Sequence, residues 1–212
     1  MAPALVRAGL DARFRGHDER GHGIGLSILA VLAVLAPVLA GCSPTPAYYT
    51  LAPVPGAPGG GGPRVVELRR VNLAGYLDRQ EMVLTDQGYR LVITPRSVWA
   101  EPPADMIGRV LAEDLSQRLP GTVVFREATG ATLNPRATVA VSVQRFNAQT
   151  SGPLVLRALV TVSRQNGRDS GQVVTLAVPR AADTPGALAA SMSVALGQLA
   201  DRIAGMVARG RV

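Results

Sequence analysis

Thr138-Val139-Ala140-Val141-Ser142-Val143-Gln144-Arg145-Phe146-Asn147 is the stretch on which the fold turns. Val139, Val141 and Val143 alternate with Ala140, Ser142 and Gln144, the two-residue period by which a strand sends one set of side chains to a core and the other outward. Leu154 to Gln165 repeats the pattern, with Leu154, Leu156, Ala158, Val160 and Val162 set against Arg157, Thr161 and Ser163. Gln172 to Val178 supplies a third run. Turn-forming residues separate the three, Ser151-Gly152-Pro153 and then Asn166-Gly167 through Gly171. The reading is an antiparallel meander with one buried face.

Working outward, Val65 to Leu73 reads as a strand. Glu81 to Thr85 and Tyr89 to Thr94 read as a hairpin around Asp86-Gln87-Gly88, with Gly88 suited to the left-handed position of a three-residue loop. Met106 to Leu119 predicts a helix with Ile107, Val110, Leu111, Leu115 and Leu119 on one stripe. Pro103 and Asp105 suit its first turn, and Pro120-Gly121 stops it. A short strand, Thr122 to Arg126, follows. The chain closes on a helix from Pro185 to about Val207, capped by Thr184, with Leu188, Met192, Leu196, Leu199, Ile203 and Met206 at helical spacing. Three strands, a helix, four strands and a helix make an α+β domain over residues 64–209. Its expected architecture is a mixed, mostly antiparallel sheet with two helices packed on one face.

The N-terminal part carries a different signal. Arg7, Arg13, Arg15 and Arg20 precede an apolar run from Leu26 to Val38, which leads into Leu39-Ala40-Gly41-Cys42. That run has the length of a secretory signal core and is short for a membrane span. Small residues before a cysteine admit a peptidase to the backbone. The order resembles the lipobox of bacterial lipoproteins, which makes residues 1–41 a removable signal peptide and Cys42 a lipid attachment site. Each buried methylene contributes about 0.8 kcal/mol to membrane attachment, so two or three acyl chains anchor a protein durably. Ser43 follows, where an enterobacterial lipoprotein retained at the inner membrane would carry aspartate. The expected location is therefore the periplasmic face of the outer membrane. Residues 42–63, rich in proline and glycine, read as a tether; within it Tyr48-Tyr49-Thr50-Leu51 reads as an edge strand or docking segment.

Composition narrows the chemistry. The chain carries a net charge of +7. Four arginines and three acids leave with residues 1–41, so the mature part keeps +6. These cations are all arginine and form no run, which fits a solvated surface; nucleic acid is not an expected partner, and anionic lipid is the more natural one. Both histidines, His17 and His22, lie in the signal segment, lysine is absent, and the single cysteine is the acylation site. Histidine-based nucleophile activation, Schiff-base chemistry and the usual zinc sites are thereby excluded, and no cofactor or metal is expected.

The lipobox, Tyr48-Tyr49-Thr50-Leu51, Tyr76-Leu77-Asp78-Arg79-Gln80 and Trp99-Ala100-Glu101-Pro102 before the first helix together resemble the ABC-type transport auxiliary lipoproteins of the PqiC type. Val98 and Pro103 depart from what that pattern would place there. The resemblance implies a non-enzymatic docking subunit that works with an MCE-domain tunnel protein and an integral inner-membrane partner to move lipid between membranes. It also implies candidate interface residues at Tyr76, Leu77, Asp78, Arg79, Trp99 and Glu101.

Each candidate has a plainer reading. Asp78 and Arg79 are either interface contacts or a satisfied turn, and as neighbours in an extended segment they cannot pair with each other. Trp99 is either an interface anchor or a core plug. The last helix has small residues opposite its leucines, which suggests packing against another subunit and a homo-oligomer. Two other functions are open: a carboxylate-based hydrolase using Asp78 and Glu101, and a lipid-binding carrier, which would need an internal apolar cavity.

Overall fold

The computed structural model of the chain describes residues 45–86, 89–127, 133–165 and 167–209. Cys42, the signal segment and the Gln87-Gly88 turn lie outside the described residues. The elements run β1 (Ala47–Tyr49), β2 (Val65–Leu68), β3 (Asn72–Leu73), β4 (Glu81–Thr85), β5 (Leu91–Trp99), α1 (Pro103–Arg118), β6 (Val123–Arg126), β7 (Ala137–Gln149), β8 (Leu154–Arg164), β9 (Ser170–Val178) and α2 (Pro185–Ala208).

The quoted stretch is the spine of the sheet. β7 is 13 residues long and pairs antiparallel with β8, which pairs antiparallel with β9, so the meander is present with its predicted alternation. Val139, Val141, Val143, Leu154, Leu156, Val160 and Val162 are all buried. Along its other edge β7 takes three parallel partners in succession: β2 at Ala137–Val139, β3 at Ser142–Val143 and β4 at Ala148–Gln149. The sheet therefore forks. At one end β2 carries β6, and at the other β4 carries β5 and then β1. Nine strands make this one mixed sheet among the described residues, with its long pairings antiparallel and its parallel ones short.

The strand expected over Val65 to Leu73 is divided. Arg69 and Arg70 are exposed, and their backbone amides bond to Val139 O at 2.9 Å and to the Glu127 carboxylate at 3.1 Å. The chain follows β7 through this break without regular pairing, and Val71 returns to the core. The hairpin's second strand runs on to Trp99, beyond the expected Thr94. Its register jumps between Glu81↔Val98 and Met82↔Thr94, which leaves Pro95, Arg96 and Ser97 as a bulge that a proline tolerates.

Both helices cover one face of the sheet and pack against each other, as expected. α1 begins at Pro103, three residues earlier than its apolar stripe, because proline lacks only an amide that the first helical turn leaves unpaired anyway. α2 is capped by Thr184, whose Oγ1 accepts from Ala187 N at 3.2 Å. Leu111, Leu115, Leu196, Leu199 and Ile203 are wholly buried between the helices and the sheet. No helix among the described residues is long and apolar enough to cross a membrane.

The segment expected to be a tether is, from Thr45 onward, part of the compact unit. β1 pairs parallel with β5, Tyr49 beside Trp99, which meets the expectation for Tyr48 to Leu51. Beyond it the chain lies along the helices: Leu51 is 1% exposed, Ala52 N donates to Ser193 Oγ at 3.1 Å, and Gly59 N donates to Arg118 O at 2.7 Å. A proline- and glycine-rich sequence forbids regular structure but does not forbid packing. We call residues 51–62 the strap.

Candidate functional site

The two family-like motifs converge where β1 and β5 end and α1 begins. Trp99 N donates to Gln80 O at 2.7 Å and Ala100 N to Tyr49 O at 2.8 Å, so the Tyr49, Gln80 and Trp99 backbones are tied together. Trp99 is 6% exposed and belongs to the core cluster, so its side chain takes the plug position. Glu101 forms an ion pair with Arg109 Nη2 at 2.5 Å, and the same Nη2 reaches Thr50 Oγ1 at 3.3 Å. One arginine on α1 thus bridges the end of β1 to the start of the helix. Being about a third exposed on both sides, this pair orders the corner more than it stabilises the fold.

Residues 74–80 form a tight turn. Leu77 N donates to Ala74 O at 2.8 Å and Arg79 N to Leu77 O at 3.0 Å. Leu77 packs against the core, while Asp78 is exposed. Arg79 Nε donates to Glu81 at 3.1 Å, so its partner is two residues on and not its neighbour. Glu81's own backbone amide and Arg79 hold that carboxyl below its ordinary range. Tyr76 is half-buried, its hydroxyl 3.5 Å from Gln144 O. Burial raises its pKa, against Arg145 and a backbone bond that lower it.

Between this corner and the helices lies an apolar pocket bounded by Leu73, Leu77, Val83, Trp99, Phe146 and Met192. It offers about 20 Å³ to water-sized groups, room for about one water. Neither Asp78 nor Glu101 lines it; the carboxylate at its wall is Glu81, already held by Arg79. Asp78 is exposed on the 74–80 turn, and Glu101 is committed to Arg109. No group of three or more metal-ligating side chains occurs among the described residues.

A second cluster escaped the sequence reading. Asp114 and Arg118, one turn apart on α1, are 0% and 2% exposed. Val54 N of the strap donates to Asp114 Oδ1 at 2.9 Å. Arg118 donates to Val54 O at 3.2 Å, to Asp114 O at 3.1 Å and, through Nε, to Asp201 Oδ1 of α2 at 2.5 Å. One guanidinium therefore joins strap, α1 and α2. Burial raises the Asp114 pKa, while Val54 N–H and Arg118 act to lower it. The i, i+4 spacing of an acid and an arginine was visible, but such pairs normally sit in solvent.

The small residues of α2 also find their partners within the chain. Ser193 receives the strap amide, and a β-carbon on Gly197 would stand 3.0 Å from Val54. The strap thus covers part of the small-residue face expected to pack on another subunit, and leaves the rest open. What α2 leaves exposed is a stripe through Gly186, Ala190, Val194, Gln198, Asp201 and Arg202.

The forked sheet, the helix pair on one face and the strap laid along the helices define an α+β domain. A model of the family described as "ABC-type transport auxiliary lipoprotein component" matches residues 49–204, and the chain belongs to that family. It is 27% identical over 132 residues to the intermembrane transport lipoprotein PqiC of Escherichia coli K12, covering 59% of this chain and 69% of that one, and matches the Shigella flexneri protein of the same name equally. Among solved structures it shares its fold with an uncharacterized protein (TM-score 0.66, 22% identity, 77% of this chain and 99% of the other). A Xanthomonas campestris protein is similar too (TM-score 0.58, 18% identity, 76% and 91%).

Proposed function

We propose that this protein is the lipid-anchored auxiliary subunit of an intermembrane lipid transport system, attached through Cys42 to the periplasmic face of the outer membrane. There it docks the end of an MCE-domain tunnel protein whose other end meets an integral inner-membrane partner, and it acts as a homo-oligomer. Its contribution is architectural and supports envelope integrity. The observation that carries the reading is the reach of the family match, which runs from Tyr49, the last residue of β1, through the strap, the rest of the sheet and α1 to residue 204 in the last turns of α2. The lipobox supplies the anchor, and the relatives' name supplies the transport context.

A docking role fits this interior better than a carrier role. Ligand pockets run to about 300–1,000 Å³, whereas the apolar pocket here has about 20 Å³. The hydrolase reading has less support, since Asp78 stands in solvent and Glu101 is held by Arg109.

Cys42→Ala tests the anchor: the variant should leave the membrane fraction and sensitise cells to detergent. Unchanged fractionation with the outer membrane would defeat the reading. Affinity capture of the lipidated protein from envelope extracts tests the docking, with an MCE-domain protein as the expected companion.

A further inference from the structure

We infer that the β4–β5 hairpin is a second membrane contact, which rests on the bilayer beside the lipid anchor. The inference rests on the anchoring at Cys42 proposed above and adds to it the face the domain turns to the lipid.

Chain direction comes first. β1 runs parallel to β5, Ala47 beside Ser97. The chain before Ala47 therefore arrives from the side on which the earlier residues of β5 lie. Cys42 is five residues before Ala47, at most about 18 Å of extended chain. Ile93 and Leu91 precede Ser97 by four and six residues, about 13 and 20 Å along a strand. The reach of five residues from Ala47 matches the distance back along β5 to Leu91, so an acyl group on Cys42 and this half of the hairpin can meet one bilayer surface together. β1 covers β5 only at Ser97, Val98 and Trp99.

Surface chemistry points the same way. Leu91 and Ile93 share one face of β5 and are 41% and 40% exposed, and Tyr89, two residues nearer the hairpin end, is fully exposed. Tyr48, on the adjoining strand, is 68% exposed. Aromatic and aliphatic side chains with a phenol at the water boundary suit the headgroup region of a bilayer. Arg90 and Arg96 are exposed beside them, and arginine lets its stem lie on apolar material while its charge meets phosphate. Arg90 is paired with Asp86, the one acid in this part of the hairpin, and with the pair neutral the net local charge comes from Arg96.

The test uses the mature acylated protein in vesicles of phosphatidylethanolamine and phosphatidylglycerol. Acylation occupies the single native cysteine, so one thiol can be introduced and labelled with an environment-sensitive dye: Tyr89→Cys, Ile93→Cys, or Val173→Cys on β9 at the opposite edge. A nitroxide-bearing lipid should quench the dye at 89 and 93 several-fold more than at 173. Tyr89→Cys lies outside the paired strands, so its result does not depend on how well the sheet accepts substitution. Equal, weak quenching at all three sites of an acylated protein overturns this inference and leaves the anchor standing. An intact mass without acyl groups overturns both. Dye at 93 that self-quenches between copies in detergent and in vesicles alike, shielded from the lipid quencher, assigns the stripe to a second copy of the chain and overturns the membrane contact.

Discussion

The guanidinium of Arg118 lies directly against the backbone of Gly56: a β-carbon built on that glycine would stand 2.2 Å from Arg118 Cζ. An arginine buried beneath a glycine-containing segment is what joins the strap to the two helices. Gly56→Ala must displace a side chain already fixed by Val54 O, Asp114 O and Asp201. The expected cost is about 1–3 kcal/mol, read as a lower urea midpoint with an unchanged slope. Gly60→Ala, with open space at its β-carbon, should leave the midpoint in place.

Arg118→Ala should be far more damaging than Asp201→Ala. Removing the arginine strands the buried Asp114 carboxylate, a loss of about 3–5 kcal/mol. Asp201 is 54% exposed on its side chain, and its removal leaves Arg118 two carbonyls and Asp114; the expected loss is under about 1 kcal/mol. Thermal denaturation of the two variants side by side decides the order.

Asp114 predicts a pH effect with a definite sign. Burial raises its pKa in the folded protein, so between the unfolded and folded values the fold binds a proton that the unfolded chain does not. This group's contribution is fully present below the unfolded pKa and is lost as pH rises through the folded one. Asp114→Asn removes that dependence. Subtracting its stability profile from the parent's should leave a difference that falls with rising pH through the upper carboxylate range.

Trp99 and Asp78 separate by stability. Trp99→Ala opens the core beside β1 and α1 and should cost about 3–5 kcal/mol. Asp78→Ala, in solvent, should fall within about 0.5 kcal/mol of the parent. Guanidinium titrations followed by circular dichroism would expose a Trp99 that tolerates truncation.

Thr184→Ala removes the cap of α2 and should cost about 1 kcal/mol, with Thr184→Ser restoring most of it. The check is the same denaturation series.

Much of this architecture is legible in the order of residues. Valines on alternate positions of β7, the stripe of α1 and the Thr184-Pro185 start of α2 each express a local period or cap, and each element is present. The strap was hidden because its composition, Pro53 through Gly62, describes what the backbone cannot do alone and is silent about the groove between two helices. Asp114 and Arg118 were hidden for a related reason. An acid and a base one turn apart look the same in sequence whether water or a folded segment covers them. Trp99 and the Asp78-Arg79 turn had two readings each because burial depends on strands more than ten residues away. The bulge at Pro95 to Ser97 follows from the register of β4, which no window within β5 contains.

The length of β7 has a geometric consequence. Its 13 residues extend roughly 43 Å, from Ala137, opposite Arg164, to Gln149, beside the hairpin strand β4. With the hairpin at the bilayer, the other extremity stands clear of the headgroups by most of that distance. Arg164, Arg168 and Arg209, with the single acid Asp169, surround a shallow depression there, and Arg164 donates to the Met206 carbonyl in the last turn of α2. In that orientation a partner approaching from the far side would meet this mostly positive rim before it came near lipid, and acidic residues on its surface would speed its capture.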